Sequence, residues 1–213
     1  MKEKMVLKIA VIGSTGRLGS KIVALSQQDG DFFVTSPEEA DVIIDVSSPL
    51  ACAQTLTFKK PLVIGTTGHT PENKELIKQA SLSTPILFSP NFSLGMTACL
   101  EAVSLLALQL KSFCTTTITE THHIHKKDTP SGTALALAEA IDPTNPPPIQ
   151  SIRKEEIMGE HTISFSSQGE TITLKHEVHS REAFARGALK AAQFLIHQKP
   201  GLYSMKDILY ATC

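Results

Sequence analysis

The stretch Glu120–Ile141, ETHHIHKKDTPSGTALALAEAI, sets three histidines and two lysines ahead of a Pro-Ser-Gly-Thr turn. Histidine is the side chain most easily poised near neutral pH, and a lysine in a desolvated, cationic setting is lowered towards it, so these types suit proton transfer. If TTTITETHH is a strand, alternation puts Glu120 and His122 on one face and His123 on the other. The spacing of ALALAEAI suits a helix, and IHKKDTPSGT then reads as a loop delivered to its N-terminus. There the N–H groups of Gly132 and Thr133 would meet one carboxylate of a small dianion, with charge-assisted contacts from His123 and Lys126. Three other readings stand beside this one. They are a metal site built from the histidines, which two lysines would oppose; a solvated basic loop; and Asp128 as no more than a turn residue pairing with Lys126 or Lys127.

A second candidate lies near the front. VIGSTGRLG places Gly13, Gly16 and Gly19 directly after a strand and at a helix start. Glycine permits the tight turn and lets backbone approach a pyrophosphate, whose charge then rests on free N–H groups and the helix dipole. Arg17 adds a cation. The spacing is GxxGxxG rather than GxGxxG, and a ligand-free strand–helix turn remains the other reading. The acid that holds ribose hydroxyls about 20 residues past the glycines has no clear counterpart. That region is QQDGDFFVTSPEEAD, where Glu38 and Glu39 follow Pro37 like a helical first turn. NADH and NADPH both stay open.

Arg153, His161, Lys175, His176 and Arg181 carry a weaker signal. His176 is in phase with Ile172, Leu174 and Val178, which reads as an inward-facing histidine with its polar atoms satisfied, and no catalytic role is assigned to it.

The elements that must position these residues fall into two patterns. From residue 5, short β-branched runs alternate with helical spans: VLKIAVIG then Arg17–Gln28, ADVIIDVS then Pro49–Phe58, PLVIGTT then Pro71–Leu82, and TPILFSP. Runs apolar on both faces and separated by helices imply a parallel sheet covered on both sides, a doubly wound α/β nucleotide-binding half. After SPNFSLGM the character changes to an apolar helix over Thr97–Lys111, the strand TTTITET, the connector DPTNPPP, and HTISFSS with ETITLKHEV as antiparallel neighbours. This implies a second, α+β domain with an open mixed sheet. Phe184, Ala188, Ala192 and Leu195 share a helical face, and Ser204 with Asp207 suggests a capping box on a last helix. The expected division is 1–94 with 182–213 for the first domain and 95–181 for the second, with hinges near Ser93–Met96 and Ser180–Arg186.

Acidic and basic residues number 21 and 20, so the charge signatures of a nucleic-acid binder or a polybasic membrane anchor are missing. Small molecules and copies of the chain itself are the expected partners. The four cysteines are widely spaced without a CxxC pair, which suggests a reduced, cytoplasmic setting. The start MKEKMVLKIAVIG breaks at Gly13 and reads as a first strand rather than a leader.

Taken together these motifs resemble the 4-hydroxy-tetrahydrodipicolinate (dihydrodipicolinate) reductases of diaminopimelate and lysine biosynthesis. GSTGRLG matches the family's glycine loop, VIIDVSSP its strand ending Asp-Phe-Thr-x-Pro, and VIGTTG and SPNFSLG its later strand ends. ETHHIHKKDTPSGTA matches Glu-x-His-His-x-x-Lys-x-Asp-Ala-Pro-Ser-Gly-Thr-Ala, and GEHTISF and HEVHSREAFARGALKAAQFL extend the resemblance almost end to end.

The resemblance implies a Rossmann-like domain binding NADPH or NADH, a central domain binding the cyclic dicarboxylate, and a homotetramer built through the central sheet. It implies His122 and Lys126 as the proton-transfer pair, Lys126 being the donor, and His123, Lys126, Gly132 and Thr133 as substrate ligands. Gly13, Ser14, Thr15, Gly16, Arg17 and Leu18, then Gly65, Thr66 and Thr67, then Ser89, Pro90, Asn91 and Phe92 would line the nucleotide. The chain departs from the family in a much shorter segment before ADVIID, a short DPTNPPP connector, DVSSP for Asp-Phe-Thr, and Thr129 for Ala. The first departure removes most of the second strand and motivates the alternative reading, a catalytically inactive nucleotide- or dicarboxylate-binding relative.

Overall fold

The structure is a computed structural model that describes residues 6–155 and 157–211, and the chain divides into two compact units. One runs up to Leu94 and resumes at Arg181; the other is Gly95–Ser180.

In the first unit, β1 (Leu7–Ile12), β2 (Phe32–Val34), β3 (Val42–Asp45), β4 (Leu62–Ile64), β5 (Pro85–Phe88) and β10 (Gly201–Tyr203) form one parallel sheet in the order β10-β5-β4-β3-β1-β2. β3 and β4 are buried at every position, as strands covered on both faces must be. α1 (Gly19–Asp29) and α6 (Glu182–Leu195) cover one face through Ile22, Leu25, Ala188, Ala192 and Leu195. α2 (Pro49–Thr55) and α3 (Pro71–Ser81) cover the other through Cys52 and Ile77, packed with Ala10, Ile43, Ile64 and Ile86. Each leucine or isoleucine among them, taken out of water, contributes about 1.5–3 kcal/mol. Ser48 and Thr70 start α2 and α3 by accepting the Ala51 and Asn73 N–H groups, each with a proline in the first turn. At Gly187 a Cβ would lie 1.8 Å from the Phe92 carbonyl oxygen, so only glycine lets α6 seat on the chain leaving β5.

This sheet carries three features that the sequence reading did not anticipate. The shortened segment keeps a three-residue β2 in register with Leu7–Ile9. Pro37–Glu39 is a turn rather than the start of a helix, because β3 must begin at Val42 and leaves no room for one. β10 extends the sheet beside β5 and leads into α7 (Met205–Ala211), where the pairing of Ser204 with Asp207 is as expected, Asp207 accepting both the N–H and the hydroxyl of Ser204 at 2.7 Å.

The second unit holds a mixed sheet, β7 (Ile149–Arg153), β6 (Thr115–His122), β8 (Gly159–Ser166) and β9 (Thr171–Val178), in that order. β6 is parallel to β7 and antiparallel to β8, and β8 is antiparallel to β9. β8 alternates buried and half-buried without a break. Ile118, Ile163 and Phe165 pack with α4 (Leu94–Leu110) and α5 (Gly132–Ile141) through Met96, Val103, Leu137 and Ala138. The other face of the sheet is rich in threonine and serine, with Lys175 bridging Glu160 and Glu177 at 2.9 and 3.1 Å.

Candidate active site

The parallel order of the first unit reverses at β1, with β2 on one side and β3 on the other, and such a switch point opens a crevice at the carboxyl ends of the strands. Gly13 stands there with φ +85°, and a Cβ on it would come within 2.9 Å of Ser47 Cα. A Cβ on Gly19 would come within 2.1 Å of the Gly13 carbonyl oxygen, and Gly16 N–H donates to that same oxygen at 2.9 Å. The turn is therefore wound too tightly for side chains at these points, and it leaves Ser14, Thr15, Gly16 and Arg17 exposed. α1 has no side-chain cap at Leu18 and no acid in its first turn, unlike α2, α3 and α5 with their Ser or Thr caps. The N–H groups of Gly16, Ser20 and Lys21 are taken up by backbone carbonyls of the loop itself, and the exposed Ser14, Thr15 and Arg17 are what it presents to a phosphate.

The other strand-end loops lie at the same edge of the sheet. The buried carboxylate of Asp45 accepts Ser47 N–H, Ser47 hydroxyl and Thr55 hydroxyl at 3.0, 2.6 and 2.7 Å, fixing the turn that abuts Gly13. After β4, Thr66 Oγ1 meets His69 Nε2 at 2.5 Å and Thr67 is exposed. After β5, the Ser89 hydroxyl donates to the Asn91 carbonyl at 2.7 Å, and Asn91 Oδ1 accepts Ser93 N–H at 2.9 Å. Pro90 is exposed, whereas Phe92 is buried as the floor under Gly65, whose Cβ would fall 2.3 Å from the Phe92 ring. Beyond β2 come Thr35 and Ser36, and the Thr35 hydroxyl donates to Glu39 at 2.8 Å. The positions directly after β2 carry hydroxyls, and each of these is paired with a carboxylate of the next turn, Thr35 with Glu39 and Ser36 with Glu38.

In the second unit, β6 delivers Glu120 and His122 to the helix-covered face, and Glu120 Oε2 pairs with His122 Nδ1. Glu120 is fully buried, and Arg153 Nη1 donates to its Oε1 at 2.9 Å. Burial alone would raise the Glu120 carboxyl; the donors facing it, Ser151, Arg153 and His122, outweigh burial and hold it below the usual range. Burial lowers His122, with Lys126 and Arg153 adding to the effect against the pull of Glu120, which favours the neutral imidazole. On β8 a Cβ at Gly159 would lie 3.0 Å from His122 Nε2.

β6 stops at His122, and Lys126 N–H donates to the His123 carbonyl at 3.1 Å as the chain turns. Lys126 Nζ bonds Asp128 Oδ1 at 2.8 Å. Asp128 is held below its usual range first by Lys126, then by N–H groups that include that of Gly132, so a carboxylate already rests between the lysine and the start of α5. Ser131 caps that helix by accepting Ala134 N–H at 3.2 Å, and its hydroxyl meets His161 Nε2 at 3.1 Å. A Cβ on Gly132 would touch nothing within 4 Å, which leaves open space before the helix end. His123 is half-buried, and its Nδ1 has no partner among the described residues.

Two residues that the sequence reading had set aside sit within this cluster. Arg153 lies opposite His122 in the parallel β6–β7 register, and His161 lies opposite Glu120 in the antiparallel β6–β8 register. The His161 and His122 rings meet edge to face at 5.1 Å. Burial chiefly pushes His161 down to about 4, with the neighbouring His122 adding to it. Lys175 is on the opposite face with Glu160 and Glu177, and His176 stands across from His161. Among the described residues no group of His, Cys, Asp or Glu is placed to hold a metal ion, and no helix is long and apolar enough to cross a membrane.

Comparison with known proteins agrees with this fold. The family model described as dihydrodipicolinate reductase, C-terminus, matches residues 95–209, and that described as dihydrodipicolinate reductase, N-terminus, matches residues 33–92. A 4-hydroxy-tetrahydrodipicolinate reductase of Zymomonas mobilis is 37% identical over 252 aligned positions, covering 98% of this chain and 99% of the relative. One of Caldanaerobacter subterraneus is 34% identical over 249 positions, covering 96% and 99%. Both alignments are longer than this chain's 213 residues, so gaps open in it, in keeping with its short segments. A dipicolinate-bound dihydrodipicolinate reductase from Paenisporosarcina sp. TG-14 shares the fold with a TM-score of 0.82 at 22% identity, covering 96% of this chain and all of that one. A diaminopimelate dehydrogenase of C. glutamicum shares it more distantly, with a TM-score of 0.59.

Proposed function

We infer that this chain, which belongs to the dihydrodipicolinate reductase family, reduces 4-hydroxy-tetrahydrodipicolinate to tetrahydrodipicolinate at the expense of a reduced nicotinamide nucleotide. The observation that carries the mechanism is one strand–turn–helix segment that presents a buried histidine, a lysine and the start of α5, before which the Asp128 carboxylate rests. In the net reaction one hydride and one proton enter, and the ring hydroxyl leaves as water.

Gly13, Ser14, Thr15, Gly16, Arg17 and Leu18 would hold the pyrophosphate of a reduced nicotinamide nucleotide, which would supply the hydride. Gly65, Thr66 and Thr67 with Ser89, Pro90, Asn91 and Phe92 border the same edge. Thr35 and Ser36, with Glu39 and Glu38 bonded to them, stand after β2 where a ribose would be read, and either NADH or NADPH is the donor. In the second unit a ring carboxylate takes the place of Asp128 between Lys126 and the N–H groups of Gly132 and Thr133, with His123 beside it. Lys126 delivers the proton to the carbon next to the one that receives hydride, and His122 accepts and returns a proton through Nε2. That the Paenisporosarcina sp. protein of the same fold is bound to dipicolinate supports a planar dicarboxylate ligand.

The family pattern also favours a homotetramer assembled through the threonine-rich sheet face, in a reducing cytoplasm where Cys52, Cys99 and Cys114 stay free. Light scattering of purified protein tests the assembly, and a monomer would refute it. The activity is tested by substrate-dependent oxidation of the nucleotide; a folded protein that binds nucleotide but never turns over would be the inactive relative instead.

A further inference from the structure

We propose that Glu120 and Arg153 form a positioning unit that sets the tautomer of His122 and ties it rigidly to the carboxylate-binding turn. This rests on His122 as a proton-transfer residue, but its structural half stands independently. The Glu120 carboxylate is shared: Oε2 faces His122 Nδ1, and Oε1 accepts Arg153 Nη1 at 2.9 Å. Arg153 Nη2 then reaches the turn, donating to the Asp128 carbonyl at 2.6 Å and to Thr129 Oγ1 at 3.0 Å. The last contact exists because this chain carries threonine where the family pattern has alanine. On the other flank His161 reaches the same turn through Ser131. The strand bearing His122 is therefore fastened to the start of α5 at two points, one from β7 and one from β8.

The chemistry follows from donor and acceptor inventory. A buried carboxylate offers acceptors only, so His122 must donate from Nδ1 and leave Nε2 with a free lone pair. That is the form needed to take a proton. The charged groups facing His122 are Glu120 on β6, Arg153 on β7, His161 on β8 with His176 behind it on β9, and Lys126 with its partner Asp128 in the turn. Only Glu120 is an acceptor for Nδ1. In Glu120→Gln, Arg153 still demands the amide oxygen, so the amide NH2 turns to His122 and donates to Nδ1. The imidazole then carries its proton on Nε2, the wrong tautomer, with the shape of the site unchanged. In Arg153→Lys, a single ammonium keeps the charge but cannot span both Glu120 and the turn.

The experiment compares wild type, Glu120→Gln and Arg153→Lys by long-range 15N–1H spectra of the imidazoles, dipicolinate titration, and steady-state kinetics across pH. Wild type should show His122 protonated on Nδ1, and Glu120→Gln on Nε2. Glu120→Gln should lose at least about 100-fold in kcat while its dipicolinate Kd stays within about threefold. Arg153→Lys should show the opposite split, with Kd for dipicolinate and KM weakened about tenfold and kcat falling less. The same His122 tautomer in wild type and Glu120→Gln, or kcat and Kd moving together in both variants, overturns the proposal. If Glu120→Gln does not fold, the wild-type tautomer and the Arg153→Lys split decide it. Should wild type itself fail to turn over, the activity assignment falls, while the spectra and the dipicolinate titration still test the positioning unit.

Discussion

Gly159→Ala gives an unusually clean separation of chemistry from stability. Gly159 opens β8 beside the end of β6, and an added Cβ would stand 3.0 Å from His122 Nε2 and 3.2 Å from Cδ2. That is short of ordinary contact by a few tenths of an ångström. The ring cannot yield by swinging away, because Glu120 holds its far nitrogen. It must shift bodily, carrying the proton-exchanging Nε2 off line. A displacement near 1 Å at a reacting group costs about 100-fold, so one of a few tenths should cost about tenfold in kcat, or about 1.4 kcal/mol. Stability moves the other way: alanine in a strand gains roughly 0.5–1 kcal/mol over glycine, offsetting strain of similar size. The expected variant melts within a few degrees of wild type, binds nucleotide normally and turns over about tenfold more slowly. A kcat within twofold of wild type would refute the reasoning, since the imidazole would then have slack that the geometry denies it.

Gly19→Ala, whose Cβ would fall 2.1 Å from the Gly13 carbonyl, should weaken nucleotide binding at least about tenfold and leave the dipicolinate Kd unchanged by calorimetry. Lys126→Met should cut turnover by roughly 100-fold or more with nucleotide affinity intact; unchanged turnover would remove Lys126 from its role. Asp128→Asn weakens the carboxylate resting on Lys126, so dipicolinate should bind several-fold more tightly, and weaker binding would mean that Asp128 helps the ligand instead. His161 is held down to about 4 when folded but takes a proton near 6.5 when unfolded. Its contribution is therefore complete above pH 6.5 and is lost as pH falls towards 4, by up to roughly 3 kcal/mol. His122 and His176, also lowered by burial, act in the same direction. Urea unfolding across that window should steepen accordingly, and His161→Asn should flatten it.

The fold was legible where the signal is local. β1, the glycine turn and α1 announce themselves by sequence order, and the pairing of Glu120 with His122 follows from strand alternation alone. The start of α5 follows from Pro-Ser-Gly-Thr ahead of an apolar run, whereas the part of Ser131 as its cap emerges only in the structure. What escaped depends on register. Arg153 and His161 join the site because β7 and β8 pair with β6 at particular offsets, and no local spacing encodes that choice. His161 sits in a strand whose alternation is clear, so its face was readable although its partner was not. β2 and β10 are three residues each, too short for any periodicity, and are held by their neighbours in the sheet.

Turnover decides whether the site works as a reductase. Purified protein should oxidise NADPH or NADH, followed by loss of the reduced-nicotinamide absorbance, only when 4-hydroxy-tetrahydrodipicolinate is generated in place by its synthase. Substrate-dependent oxidation, with the two nucleotides compared at equal concentration, is the predicted result. No oxidation with either nucleotide, from a folded protein that still binds dipicolinate, would contradict it and leave a dicarboxylate-binding relative that has lost the reaction.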